Sequence, residues 1–90
     1  MTRLWLRTLR VTAGPEEVEP VARRHREHLR ELRDAGKLRL AGEFEDGDGF
    51  LEIFEALDRR EADAIARASP LVERGLVAWT VREWLETHRS

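Results

Sequence analysis

The stretch HREHLRELRDAGKLRLAG, residues 25–42, decides how this chain folds. It holds the end of a helix, a glycine stop and a strand. At a turn of about 100° per residue, Val18, Val21, Ala22, His25, Leu29 and Leu32 fall in one stripe, as an amphipathic helix packed on a core requires. Arg23, Glu27, Arg30, Glu31 and Asp34 fall on or near the opposite side, a solvated face on which Arg30 and Asp34 stand at i,i+4. Gly36 supplies the left-handed residue that ends many helices. The alternation Leu38, Leu40, Gly42, Phe44 then predicts a strand over residues 37–44 with these four on one face.

Residues 2–11 alternate as a strand, with Leu4, Leu6 and Thr8 on one face and Trp5, Arg7, Leu9 and Val11 on the other. Both faces carry apolar weight. Gly14-Pro15 breaks this strand, and Glu16 and Glu17 suit the first turn of a helix. Pro20 leaves two helix starts open, a separate turn at Pro15 or a start at Pro20 itself, because an interior proline removes a hydrogen bond. Downstream, Glu45-Asp46-Gly47-Asp48-Gly49 is a short acidic turn that makes residues 50–57 the hairpin partner of 37–44. There Leu51, Ile53 and Leu57 alternate with Phe50, Phe54 and Ala56, and Glu52 and Glu55 are the polar exceptions. Asp58 and Glu61 resemble a capping box. The helix they open sets Ala62, Ile65, Ala66 and Ser69 on one side and ends at Pro70. Gly75 precedes a last strand over 76–85, with Val77, Trp79 and Val81 alternating with Ala78, Thr80 and Trp84.

The order strand, helix, strand, strand, helix, strand predicts an α+β, ferredoxin-like domain with a four-stranded antiparallel sheet. Both helices would cover one face of the sheet. The other face is apolar too, more than a monomer ordinarily leaves in water, so a homodimer joined through the open sheet face is expected; that face holds either the Trp5, Leu9 and Val11 set or the Leu4 and Leu6 set, and Trp5, Trp79 and Trp84 read as core or interface residues.

With 90 residues the chain suits one domain, 1–90, with one small core. A formal net charge of -2 gives no long-range attraction to nucleic acid or anionic membrane, and neither partner is expected. No cysteine is present, so there is no disulfide, no thiolate nucleophile and no cysteine metal site. The first residues lack the apolar run of a secretory signal, and a cytoplasmic protein is expected.

The histidine eleven residues before Gly36, the run Gly36-Lys37-Leu38-Arg39-Leu40-Ala41-Gly42, the segment Ser69-Pro70 to Gly75-Leu76, and Val81-Arg82-Glu83-Trp84 together resemble the YciI family, the YCII-related domain. The resemblance implies a dimeric α+β barrel. It also implies an active site pairing the helix histidine, His25, with an aspartate at the position of Ser69, so the pair is incomplete here. The family's usual proline after the Leu-Ala-Gly strand is replaced by Glu43. One branch of the family carries out dehydrochlorination of a chlorinated hydroxyquinol, which implies a lyase-type reaction.

His25 has two readings. It is a packed histidine bonded to a backbone carbonyl, or a general acid and base whose imidazole takes and gives a proton near neutral pH. Ser69 would fix its tautomer, and Arg24 and Glu43 would help to hold an unknown small-molecule ligand. His25, His28 and Glu31 at three-residue spacing lack further ligands for a metal, so none is expected. No cofactor is expected either. Glu45, Asp46 and Asp48 lack calcium-loop spacing and read as a solvated turn, and His88 reads as solvated. The expected function is proton transfer or elimination on a small organic molecule at a pocket near His25. The other class is a non-catalytic dimeric module that binds a ligand or a protein, with His25 structural.

Overall fold

The computed structural model describes residues 2–88. In chain order they form β1 (Arg3–Val11), α1 (Pro15–Asp34), β2 (Leu38–Glu43), β3 (Gly49–Ala56), α2 (Arg59–Arg67), a single turn α3 (Pro70–Glu73), and β4 (Val77–Glu83). The strands make one antiparallel sheet in the order β2-β3-β1-β4. This is the ferredoxin-like α+β arrangement expected, since β3 inserts between the two strands that α1 connects. Among the described residues no helix is long and apolar enough to cross a membrane.

Pairing fixes which side chains share a face. Trp5, Arg7 and Leu9 of β1 lie opposite Phe54, Glu52 and Phe50 of β3, and opposite Glu83, Val81 and Trp79 of β4. This is the helix-covered face, because Trp5, Arg7, Leu9, Phe50, Glu52 and Phe54 are all buried. Leu4, Leu6 and Thr8 look the other way, with Leu51 and Ile53 beside them. Trp79 therefore sits among the core side chains and not in the open face where an interface was expected; the register with Leu9 sets its side.

Three boundaries differ from the sequence expectation. The first helix is continuous from Pro15 through Pro20, so the expected choice between two starts resolves to the earlier one. Pro20 lies in the second turn on the exposed side, where the Glu16 carbonyl that loses its partner is near solvent. A bulge between Leu38 and Leu40 adds one residue to β2. Leu38 then opposes Phe54 while Leu40 opposes Ile53, so they stand on opposite faces rather than the same one. Ser69 lies beyond α2. It caps the N-terminus of α3, its Oγ accepting the Leu71 N–H at 3.2 Å.

The ends of α1 and α2 follow the sequence signals. Gly36, at φ 74°, closes α1 while the Lys37 N–H reaches back to the Leu32 carbonyl at 2.9 Å. Asp58 Oδ1 accepts the Glu61 N–H at 2.9 Å, and Glu61 Oε1 accepts the Leu57 N–H at 3.1 Å. On the outer face of α1, Asp34 pairs with Arg33 rather than with Arg30. Gly49 has a different reason to be glycine: a Cβ there would run into the Leu9 carbonyl oxygen of the neighbouring strand.

The core is in two parts. Leu9, Val18, Val21, Ala22, Phe50 and Leu71 pack beneath α1 and α3. Trp5, Phe54, Ala56, Ala62, Ala66 and Val81 pack beneath α2. Between them runs a row of buried polar side chains.

Candidate active site

The row is built by four elements. The sheet contributes Arg7 from the centre of β1 and Glu52 from the facing position of β3. The stripe of α1 brings His25 down onto them, and the turn before α3 brings Ser69. All four are 0% exposed. Arg7 Nε donates to Glu52 Oε1 at 2.6 Å. Glu52 Oε2 lies 2.8 Å from His25 Nε2, and His25 Nδ1 lies 2.8 Å from Ser69 Oγ. Phe50 flanks the imidazole, with ring centroids 5.0 Å apart, and Phe54 lies 6.0 Å from the guanidinium carbon. The far end of the row closes a helix: Arg7 Nη1 donates to the Ala66 carbonyl at 3.1 Å and to that of Ile65 at 3.4 Å, in the last turn of α2.

Donor chemistry assigns the protons. Burial alone pushes the Glu52 carboxyl up, but the His25 hydrogen bond and the Arg7 charge outweigh it and hold the group below the ordinary carboxylate range. Glu52 is thus an ionised acceptor. His25 Nε2 must then carry the hydrogen that it shares with Oε2. In the neutral ring Nδ1 then keeps its lone pair and accepts from the Ser69 hydroxyl, whose oxygen in turn accepts the Leu71 N–H. Every polar atom of His25 and Ser69 is matched.

His28, three residues on, faces the same row from its edge. Its ring lies 5.9 Å from that of His25, and its Nε2 lies 3.4 Å from Arg7 Nη1. Burial first, then the Arg7 charge and the charge His25 carries when protonated, bring its imidazole from 6.5 down to about 4 against an opposing pull from Glu52. At neutral pH it is an uncharged acceptor for Arg7.

Of the residues expected to form a site, the structure brings together His25 and Ser69. Arg24 is exposed on α1, turned away from the row, and Glu43 is exposed at the end of β2, where it pairs with Arg26 at 2.7 Å. Neither touches His25. Its partners differ from the backbone carbonyl expected for a packed histidine. Sequence reading missed Arg7 and Glu52. Their signal was present: each is the one charged residue between two large inward-facing apolar ones, Trp5 and Leu9 in β1, Phe50 and Phe54 in β3. Position 69, where the resemblance implies an aspartate, holds a hydroxyl, and the carboxylate on the imidazole comes from β3. Among the described residues no group of three or more histidine or acidic side chains is arranged to hold a metal ion.

His25 itself is fully buried, and two hollows border its neighbours. One hollow, between α1 and α2, includes His28 and Ile65 in its wall; another, beside β2, is lined by Arg26, Leu29, Glu43 and Phe50.

The sequence profile of the YCII-related domain matches residues 4–85. An uncharacterized protein of Bacillus subtilis (strain 168), YjpA, is 37% identical over 60 residues, which cover 67% of this chain and 71% of the relative. Among solved structures, 5-chloro-2-hydroxyhydroquinone dehydrochlorinase (TftG) from Burkholderia phenoliruptrix AC1100, in complex with 2,5-dihydroxybenzoquinone, superimposes with a TM-score of 0.76 at 24% identity. That match covers 91% of this chain and 93% of the other. SnoaB, a cofactor-independent oxygenase from Streptomyces nogalater, gives 0.55 at 11% identity over 98% of this chain and 95% of its own. These likenesses show the fold, a ferredoxin-like α+β domain.

Two outcomes follow from the row. Replacing Glu52 by Gln leaves the Arg7 charge buried without its counter-ion, which should cost about 3–5 kcal/mol in urea unfolding. It should also move the His25 hydrogen from Nε2 to Nδ1, read from the ring 15N shifts; an unchanged tautomer would count against the proton assignment. The second outcome concerns pH. The folded pKa of His28 is depressed, about 4 against 6.5, so between these values the unfolded chain binds the extra proton. Stability should be full above 6.5 and fall as pH drops towards 4. Glu52, also depressed, adds its loss only below its unfolded value of 4.5. His28→Gln should flatten the limb between 6.5 and 4 in pH-dependent melting, and a limb of undiminished slope would assign it to another group.

Proposed function

The chain belongs to the YCII-related domain family, and from that premise we propose that it is a homodimer acting on a small organic molecule by proton transfer or elimination, with His25 as general acid and base. The observation that carries this is an imidazole held at both nitrogens, by the Ser69 hydroxyl and by the Glu52 carboxylate, each at 2.8 Å. A carboxylate on Nε2–H stabilises the imidazolium that forms when Nδ1 takes a proton. Ser69 lies on that second nitrogen, so a proton removed from a bound molecule passes through the hydroxyl to Nδ1 and returns by the same path. In an elimination, the base removes a proton while the neighbouring leaving group departs with its electron pair. The Burkholderia dehydrochlorinase is named for a reaction of this type, and the present chain is assigned the same general class. Arg24 and Glu43 serve at most as outer contacts for the ligand. A cytoplasmic setting and a single domain over 1–90 belong to the same proposal and rest on the sequence.

The dimer is proposed to close over the open sheet face. Leu40 is 55% exposed and Phe44 49%, and Leu4, Leu6, Leu51 and Trp84 are only partly covered. Apolar surface of that kind, continuous across a sheet, ordinarily marks an interface. A second reading, a non-catalytic dimeric module with His25 purely structural, is favoured by one observation: His25 and Ser69 are both closed to solvent.

With 2,5-dihydroxybenzoquinone as probe, the ring signals of His25 should shift on titration followed by NMR, and His25→Gln should abolish proton exchange on the probe. A probe that binds without disturbing His25 would favour the structural module. Sedimentation should give a dimer for the natural chain and a monomer for Leu40→Glu, whereas a natural chain that sediments as a monomer would remove the proposed interface.

A further inference from the structure

Two helices end at one hollow. Ala35, which closes α1, and Ala68, which closes α2, both line the space between those helices. The carbonyl end of a helix carries partial negative charge and favours a cation beside its last turn. At α2 that end is already answered from behind, where Arg7 Nη1 takes the Ile65 and Ala66 carbonyls. At α1 the basic residue of the last turn, Arg33, is spent on Asp34.

The side chains of the hollow carry the same sign. Glu31 and Glu61 are its carboxylates, and Lys37 is the one cation among the described residues that line it. Lys37 stands 3.8 Å from Glu61 with both side chains partly in water, a loose pair. Glu31 is exposed, and its carboxylate has no partner among the described residues. His28, in the wall, is uncharged at neutral pH, its imidazole pushed down to about 4. Behind the wall the Arg7 charge is balanced by Glu52 at 2.6 Å. One negative charge is therefore left that none of the described residues neutralises. The body of the hollow is apolar, walled by Leu32, Ala64 and Ile65 with the two closing alanines, and it holds about 360 Å³, within the range of small-ligand sites.

We infer that the crevice between α1 and α2 binds a small organic monocation, a protonated amine on an apolar ring-sized body, with the ammonium beside Glu31 and the end of α1 and the ring laid against Leu32, Ala64 and Ile65. Charge decides against the alternatives. An anion would meet two carboxylates and one ammonium, and a dication would exceed the single charge to be neutralised. The hollow beside β2 offers no such opening, because Arg26 and Glu43 satisfy each other at 2.7 Å. The hollow that Leu4, Leu40 and Trp84 line lies on the open sheet face, which the proposed dimer covers. The inference goes beyond the proposed chemistry, and binding in the crevice needs no turnover at His25.

The probes are benzylammonium, the neutral benzyl alcohol and the anion benzoate, titrated at neutral pH into the natural chain, Glu31→Gln and Ala64→Phe. Glu31 and Ala64 are both exposed, so neither change reaches the core, and both variants should melt at the natural temperature. Benzylammonium should shift the ring signals of His28 and the methyl signals of Leu32 and Ile65. It should bind about fivefold more tightly than benzyl alcohol, the ratio that a partly exposed ion pair supplies. That ratio should fall in high salt and vanish in Glu31→Gln, while Ala64→Phe, which fills the hollow, should lose both probes. No saturable binding of benzylammonium at millimolar concentration, benzoate bound as tightly, shifts centred on Phe50 and Glu43, or a preference for the amine that survives Glu31→Gln would each overturn the assignment.

Discussion

The ion pair between Arg7 and Glu52, wholly enclosed at 2.6 Å, is the constraint to which the rest of the structure answers. A buried charge costs several kcal/mol in lost hydration, and only close, well-directed partners offset it. The fold supplies those partners from every side. Strand pairing sets the two charges opposite each other, α1 lowers an imidazole onto the carboxylate, and α2 ends with its free carbonyls pointing at the guanidinium. The hydrocarbon core is divided accordingly into one part under α1 and α3 and another under α2. Phe50 and Phe54 stand on either side of Glu52 along β3 and exclude water from the pair.

Much of this was legible in the sequence. Gly36, the apolar stripe of α1, the Asp58 cap and the alternating strands gave the element order and hence the topology, because those signals are local and each has one structural meaning. The bulge at β2 was not legible. An extra residue leaves the alternation intact on paper while moving Leu38 to the other face, and only the pairing with Phe54 reveals it. Pro20 was ambiguous because its effect depends on whether the freed carbonyl is near solvent, which is a matter of burial. At the site, His25 and Ser69 stood out by residue type and by resemblance. Arg7 and Glu52 did not, because a charge in a strand ordinarily lies on a wet face, and two such charges become a pair only when the register between β1 and β3 is known.

The same pairing explains how a serine occupies position 69. The hydroxyl cannot balance an imidazolium, yet the ring is not without a carboxylate, since Glu52 approaches Nε2 while Ser69 holds Nδ1. Ser69 also caps α3, so one oxygen ties the imidazole to the backbone of the turn that follows α2. Chemistry at His25 and the local architecture of that turn are therefore joined at a single atom.

The contacts of the row span 45, 27 and 44 residues along the chain, which gives the row a role in folding fidelity. An apolar strand that slips by one position still finds hydrocarbon on both faces of this sheet, since both are greasy, and such sequences are prone to settle out of register. Here a slip of β3 by one residue would turn Glu52 to the open side and strand Arg7 in the dry interior. The penalty for an uncompensated buried charge makes that misaligned sheet untenable, so the charged pair acts as a proofreading key for strand alignment.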